Sequence, residues 1–464
     1  MIPLQEVNFH AHSFADPGGR VFYWGDQLYR GIHAASMPFI KELFENGIIS
    51  NLVEQGLLIG TELTDYTFDK YPLILRHRTV PFASYPQEWC PAMLRDAALT
   101  IIELAIALAR HSLTLKDAHP WNLLFDTYKP VYVDLGSIAP MDGVSTWPAY
   151  PEFCHFCLYP LLLMAQGHDR IARLLMCEDQ GVLNSEVFKL APLVLPETML
   201  WSGRRMMPYL KNRAQRILAS GPADAPDTAQ RLTRSQKLLL GFLENVRQQV
   251  ESINLSSFDV EPRAGNDPAR PAGEVPGTLI AQQVRVCQIL AQLRPASVLD
   301  IYSGTGWYSQ QAARSGSQVV AFDPDLTSVT SLYREASEEG LPILPLFMDF
   351  TKPTPARGLG SYSSMAATDR FQCEMVLALG LLDHPTLDKR IRLDTIIDGL
   401  SLFAKRWLVV EFIPHKGGIN GDAAPEKSSP HTFEDTISSF ERRFRRVTKV
   451  LSHSEKRVLL LCEK

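Results

Sequence analysis

The stretch from Ala296 to Asp325, A-S-V-L-D-I-Y-S-G-T-G-W-Y-S-Q-Q-A-A-R-S-G-S-Q-V-V-A-F-D-P-D, constrains the fold of this chain more than any other. Ser297 to Ile301 is a short apolar run with Asp300 near its end, and Ser303-Gly304-Thr305-Gly306 reads as a turn. Trp307 to Ser315 continues as a helix that Gly316 stops, and Gln318 to Phe322 is a second apolar run closed by Asp323. Two short strands joined by a helix make a βαβ unit, which is right-handed in nearly all parallel sheets. Glycines in the turn let a ligand approach the backbone where a side chain would block it. An acid at the end of the second strand is placed to bind both hydroxyls of a ribose.

Two cofactor classes use this layout. Dinucleotides call for G-x-G-x-x-G, with a third glycine for close helix–strand packing and a pyrophosphate on the helix N-terminus. Here the run is G-T-G-W-Y-S, and Asp300 stands just ahead of the turn, where a carboxylate faces a cation better than a pyrophosphate. S-adenosylmethionine (SAM) carries an ammonium and a sulfonium and no phosphate, so the residues favour SAM. The D-x-x-x-G-x-G run resembles motif I of class I methyltransferases, a family that usually has glycine where Tyr302 stands. The alternative is an ordinary βαβ turn that binds nothing.

Downstream, Leu341–Phe347, Cys373–Leu379 and Arg406–Phe412 read as further strands, and Arg445–Leu451 with Arg457–Cys462 as a final antiparallel pair. Strands alternating with helices and ending in such a pair match the class I methyltransferase plan, a Rossmann-like α/β sheet. That resemblance implies cofactor contacts from Asp300, Ser303, Gly304, Gly306 and Asp323. It also implies that Asp349 meets the adenine amine and that Phe350 covers the adenine face.

The N-terminal half carries a second informative stretch, Leu113 to Ser137, L-T-L-K-D-A-H-P-W-N-L-L-F-D-T-Y-K-P-V-Y-V-D-L-G-S. Asp117, Asn122 and Asp134-Leu135-Gly136 follow the order of the D-x-x-x-x-N catalytic loop, short hairpin and D-F-G of protein kinases. In that chemistry one Asp accepts the proton of the attacking hydroxyl, while Asn and the second Asp hold magnesium on the nucleotide phosphates. The region therefore resembles a two-lobed kinase-like α+β fold, with ATP and Mg as the ligands it implies and Asn122 and Asp134 as the metal ligands. A glycine-rich cover and a strand lysine are not found: Gly18-Gly19 lack the full pattern, and Leu73–Val80 offers Arg76 and Arg78. An inactive scaffold that serves as a lid or docking module and an active phosphotransferase both remain open.

A wider resemblance joins the two halves. V-P-F-A-S-Y-P-Q-E-W-C, L-K-D-A-H-P-W-N, V-Y-V-D-L-G-S, W-P-A-Y-P-E-F-C, A-L-G-L-L-D-H and E-F-I-P are similar to segments of bacterial proteins related to a nodulation protein. In that family a kinase-like region is fused to a class I methyltransferase, which implies a small-molecule or saccharide substrate. The chain departs from the family in having Asp383 where histidine is expected before His384, and Gly304 where asparagine is expected. Glu261–Gly277 has proline and glycine throughout and no apolar period. The expected layout is residues 1–255 kinase-like, 256–277 linker, and 278–464 methyltransferase.

Composition narrows the remaining options. A net charge of −5 in 464 residues argues against nonspecific nucleic-acid binding. The N-terminus lacks a signal-peptide pattern, no apolar run is long enough to span a membrane, and seven cysteines fall without a framework, so a cytoplasmic setting is expected. Cys154-His155-Phe156-Cys157 lacks a second ligand pair and reads as core rather than a zinc site. For catalysis, His384 and Asp383, past the fourth strand, are the candidate acid–base residues. They can equally be a helix-start residue and its N-cap. Glu411 is a candidate substrate contact, and Lys416–Pro430 a loop near the site or a solvated surface loop.

Overall fold

The computed structural model describes residues 2–10, 13, 16–141, 146–191, 233–259, 281–358, 364–382, 391–412, 433–451 and 458–464. The N-terminal half opens with a five-stranded antiparallel sheet. Its strands are β1 (Val7–Phe9), β2 (Gly19–Trp24), β3 (Gln27–Ile32), β4 (Thr61–Leu63) and β5 (Leu73–His77), in the order β1-β2-β3-β5-β4. The β2–β3 hairpin turns at Gly25, whose φ of 58° suits glycine. After β3 the chain forms two helices, Met37–Glu45 and Ile48–Glu54, separated at left-handed Gly47 (φ 69°).

Helix Pro91–Arg110 is the spine of this half. Ala97, Ala98, Ile101, Ile102, Leu104, Ala105 and Leu108 are all buried, at the spacing of an apolar helical face. Helix Arg234–Glu251 lies along it, and Gln236 donates its side-chain amide to the carbonyls of Ala109 (3.1 Å) and Arg110 (3.3 Å). Those carbonyls belong to the last turn of the helix, beyond its i→i+4 bonding, and Gln236 helps to cap them alongside the Ser112 amide on Ala109 O (3.3 Å). After the spine come β6 (Leu113–Leu115), the hairpin β7 (Leu123–Asp126) and β8 (Lys129–Tyr132), then β9 (Ile138–Pro140), which pairs with β6. Cys154–Leu158 forms a π turn, and both Cys154 and Cys157 are buried thiols. Among the described residues no group of three or more His, Cys, Asp or Glu side chains is placed to hold a metal ion.

The C-terminal half is a seven-stranded sheet. Its strands are β10 (Ser297–Ile301), β11 (Gln318–Asp323), β12 (Ile343–Phe347), β13 (Cys373–Ala378), β14 (Ala404–Phe412), β15 (Arg446–Leu451) and β16 (Val458–Glu463). The order is β12-β11-β10-β13-β14-β16-β15; β10 to β14 run parallel, and β16 pairs antiparallel with both β14 and β15. Parallel strands covered on both faces should be apolar throughout, and the inner residues of β10, β11 and β13 are buried accordingly. Asp325 starts helix Leu326–Glu339 by accepting from the Ser328 (3.3 Å) and Thr327 (3.4 Å) amides, and left-handed Gly340 ends it.

The halves share one hydrophobic cluster, running from Ile32 to Cys462. Phe125 meets the Tyr333 ring edge-on at 6.0 Å, and Tyr333 donates its hydroxyl to Asp96 at 2.7 Å. Arg370 forms a two-pronged ion pair with Glu88, at 2.5 and 3.0 Å, with side chains 2% and 1% exposed. The expected linker lies mostly outside the described residues. Its start, Ser256–Phe258, is a short 3-10 turn, and Asp259 pairs with Arg334 at 2.5 Å. Among the described residues no helix is long and apolar enough to cross a membrane.

Candidate cofactor site and the Asp117–Asp134 cluster

The glycine turn sits where β10 ends, at the point where the chain leaves the sheet. Three of its residues are left-handed: Tyr302 (φ 57°), Gly304 (φ 56°) and Gly306 (φ 78°). A bulky residue in that region costs roughly 1–2 kcal/mol. That explains why a glycine is the natural occupant of the Tyr302 position. Here the tyrosine is buried, and its hydroxyl donates to Asp349 Oδ1 at 3.0 Å, so the strained residue ties the turn to the end of β12. Ser303, 3% exposed, donates its amide to Phe322 O at 3.1 Å and accepts Gly306 N at 2.8 Å.

Three carboxylates surround the turn, each held by hydrogen bonds. Asp323 accepts the Gly304 amide (2.8 Å) on one oxygen and the Asp325 amide (2.8 Å) on the other. Burial raises its pKa to about 7; the two amide bonds pull the other way, and the Asp325 and Asp300 charges add to the rise. Asp300, 2% exposed, accepts the Ser309 hydroxyl at 2.6 Å and so anchors the helix that leaves the turn. Asp349 accepts Tyr302, the Thr351 amide (2.8 Å) and the Thr351 hydroxyl (2.7 Å) on a single oxygen. Burial pushes the Asp349 carboxyl up, but the bonds from Thr351 and Tyr302, with the Lys352 charge, outweigh it and hold the group below its ordinary value.

Phe350 lies 7% exposed against Phe403, ring centroids 6.2 Å apart, and over Gly399. It packs the helix Leu393–Phe403 onto the sheet. Glu411, expected as a substrate contact, is fully buried on β14 and accepts the Gly380 amide at 2.9 Å. Asp383, His384 and the Lys416–Pro430 stretch lie outside the described residues.

Gly306 is closely constrained. A Cβ there would fall inside the van der Waals shell of Leu332 while keeping a positive φ. Gly306→Ala is expected to destabilise the protein by about 2 kcal/mol or more, read as a lower urea midpoint. An unchanged midpoint would mean that the turn is free to rearrange.

In the N-terminal half the structure brings Asp117, Asn122 and Asp134 into one cluster. Ser137 donates its hydroxyl within reach of both Asp117 Oδ2 (2.9 Å) and Asp134 Oδ2 (2.7 Å). Tyr132 donates to Asp117 O at 2.9 Å and accepts the Asn122 side-chain amide at 3.3 Å. Asp134 also accepts the Gly136 amide at 3.0 Å, starting the turn Leu135–Ser137.

The strand cation in this cluster is Arg30 on β3, which the sequence did not single out. Arg30, with a side chain 6% exposed, reaches Asp134 Oδ1 at 3.1 Å and also pairs with Asp16, from the β1–β2 connection. Burial pushes the Asp134 carboxyl up, yet the Arg30 charge and the bonds from Ser137, Arg30 and Gly136 together hold it below its ordinary value. The arginines that stand where a strand lysine was sought point elsewhere: Arg76 pairs with Glu62, and Arg78 meets Asp126 at 2.6 Å, each about half exposed. Lys116 is exposed. Proximity in sequence could not have revealed Arg30, because the position of β3 next to β5 in the sheet sets its alignment with the cluster.

No protein-family model matches the chain. Nodulation protein NoeA of Rhizobium meliloti (strain 1021) is 24% identical over 474 residues, covering 98% of this chain and 96% of that protein, so the chain is similar to it along its full length. Among solved structures, magnesium protoporphyrin IX methyltransferase from Synechocystis PCC 6803 with bound SAH is 18% identical, covering 40% of this chain and 83% of that one at a TM-score of 0.30. A SAM-dependent methyltransferase from Aquifex aeolicus is 15% identical over 36% of this chain and 81% of that one, TM-score 0.26. WbdD, co-crystallised with a kinase inhibitor, is 11% identical over 39% of this chain and 40% of that one, TM-score 0.27.

Proposed function

We propose that the chain is a SAM-dependent methyltransferase acting on a small molecule or saccharide, with a kinase-like N-terminal region in an accessory role. One observation carries the cofactor reading. The buried Asp323 carboxylate closes β11 and receives the amide of the glycine turn that ends the neighbouring strand. The strand order reverses direction at β10, between β11 and β13, and ligands of open α/β sheets bind outside the strand ends at such a switch point. A buried carboxylate with a raised pKa suits the neutral hydroxyl donors of a ribose, and the left-handed glycines suit a close approach.

SAM would supply an electrophilic methyl group on a sulfonium. Asp323 would hold the ribose hydroxyls, Asp349 the adenine amine, and Asp300 with the Ser303–Gly306 turn the amino-acid end. His384 and Asp383 are the proposed acid–base residues for an acceptor that must lose a proton. Phe350 belongs in this reading as support behind the adenine site, since its ring is committed to Phe403 and Gly399.

The kinase-like reading of the first half is supported by the order of its elements: an antiparallel sheet, a long helix, a D-x-x-x-x-N loop, a hairpin and D-L-G. The accessory role is supported by the Asp16–Arg30–Asp134 bridge, which engages the carboxylate that would otherwise take magnesium. Titration calorimetry tests both parts. SAM is expected to bind, and ATP with magnesium to give no heat at millimolar nucleotide. Heat from ATP that Asp134→Ala abolishes would instead favour the bifunctional phosphotransferase and methyltransferase reading, which phosphoryl transfer to an acceptor would then have to demonstrate. Silence toward SAM by the folded protein would overturn the cofactor reading.

A further inference from the structure

A cleft of about 580 Å³ opens where the two halves meet, with walls from both. That volume suits a ligand of drug or disaccharide size. From the first half come His119 and Trp121, both in the loop between Asp117 and Asn122, and Glu152. From the second come Arg357 and Ser364, which face each other across a short antiparallel bridge (Arg357 N to Ser364 O, 3.0 Å) in the segment that follows Asp349.

The walls contain polar groups that the protein itself does not satisfy. Ser364 is 1% exposed, and its hydroxyl has no hydrogen-bond partner. His119 Nδ1 is equally buried and unpaired, while its other ring nitrogen lies 3.9 Å from Glu152 Oε1. Leaving a buried hydroxyl unpaired costs about 1–3 kcal/mol, so such groups at a cavity wall point to a ligand that completes them. Glu152 is held in place through its other oxygen, which accepts the Ala118 amide at 2.6 Å. Arg357 is fixed by donating to Cys177 O at 2.9 Å.

The mixture of groups selects the ligand class. Glu152, with Glu178 and Asp179 at the mouth, offers acceptors, whereas Arg357 offers donors. An anionic ligand would face three carboxylates, and a simple cation would face the guanidinium. A neutral ring with many hydroxyls can donate to the acids and accept from Arg357 and Ser364 at once. Trp121, half-buried with its ring 5.2 Å from that of Tyr85, supplies a flat apolar surface for the ring's C–H face.

We propose that this cleft is the acceptor-recognition site and that it binds a neutral saccharide between Trp121 and the Arg357–Ser364 bridge. Naming the ligand an acceptor rests on the methyltransferase reading; the binding of the saccharide does not. In this arrangement the D-x-x-x-x-N loop is reused. Asp117 is tied inward to Ser137, and the two side chains His119 and Trp121 reach the cleft.

The test uses the full chain on an array of neutral oligosaccharides, with SAM calorimetry run in parallel. Wild type should capture neutral glycans. Trp121→Ala should weaken the best of them tenfold or more and Ser364→Ala severalfold, with SAM affinity unchanged in both. Wild type that binds SAM but no neutral glycan overturns the site and leaves the cofactor reading intact. Equal glycan binding by wild type and both variants overturns the location. Capture of only amine-bearing or only anionic glycans overturns the ligand class. Glycan binding lost in the variants, from a protein that does not bind SAM, keeps the saccharide site and removes its role as acceptor site.

Discussion

Glu88→Ala is expected to lower the stability of the whole chain by about 3–5 kcal/mol, the usual cost of stranding one member of a buried ion pair. The Arg370 guanidinium would remain 2% exposed with two of its bonds gone. Its contacts to the carbonyls of Ala83 (2.6 Å) and Met365 (3.0 Å) and to the Tyr85 and Phe371 rings do not neutralise the charge. Glu88 also accepts the Tyr85 amide at 2.8 Å, so that donor is orphaned as well. Urea unfolding followed by fluorescence measures the loss. Because the pair bridges the halves, the variant is also expected to split one unfolding transition into two. A cost under about 1 kcal/mol with a single transition would mean that the bridge is dispensable. Arg370→Lys keeps the charge but not the two-pronged geometry, and should fall between wild type and Glu88→Ala.

The second large effect is on SAM binding. Asp323→Ala is expected to weaken it at least tenfold, because a carboxylate that accepts two ribose hydroxyls is lost. Wild-type binding should also depend on pH. With its pKa raised to about 7, Asp323 is largely protonated in the free protein below neutrality. The ribose hydroxyls favour the ionised form, so binding expels a proton. Affinity should therefore fall toward tenfold per pH unit below about 7 and level off above it. Calorimetry in two buffers of different ionisation enthalpy reads the released proton directly. Stability of the free protein moves the other way. The unfolded chain ionises this group near pH 4, so its contribution to folding is complete below that and is lost as pH rises to about 7. An affinity flat between pH 5.5 and 8 would remove Asp323 from the cofactor site.

The C-terminal sheet was legible because its signals are local. The parallel strands are short and mostly apolar, the turn is marked by glycines, Asp323 closes β11, and Asp349 comes just after β12. Tyr302 shows where local reading stops. The residue is plainly out of place for a glycine position, but its bond to Asp349 spans 47 residues and depends on β12 lying beside β11. Arg30 and Asp134 are 104 residues apart, and Glu88 and Arg370 are 282 apart. In sequence, isolated charges such as these look like surface residues, since nothing nearby records that they are buried. The cleft is hidden for the same reason: His119 and Trp121 on one wall and Arg357 and Ser364 on the other come from opposite halves of the chain, and only the fold brings them together.

The distance between Glu88 and Arg370 has a consequence on the ribosome. The first half of the chain leaves the exit tunnel with a glutamate shaped for a guanidinium that has yet to be translated. At bacterial or faster eukaryotic elongation rates, the 282-residue gap corresponds to roughly 15–55 s of waiting. During that interval the surface destined to meet Tyr333 and Arg370 faces solvent, Glu88 hydrated and Phe125 uncovered. The nascent N-terminal half thus carries an apolar face that stays open until the second half arrives.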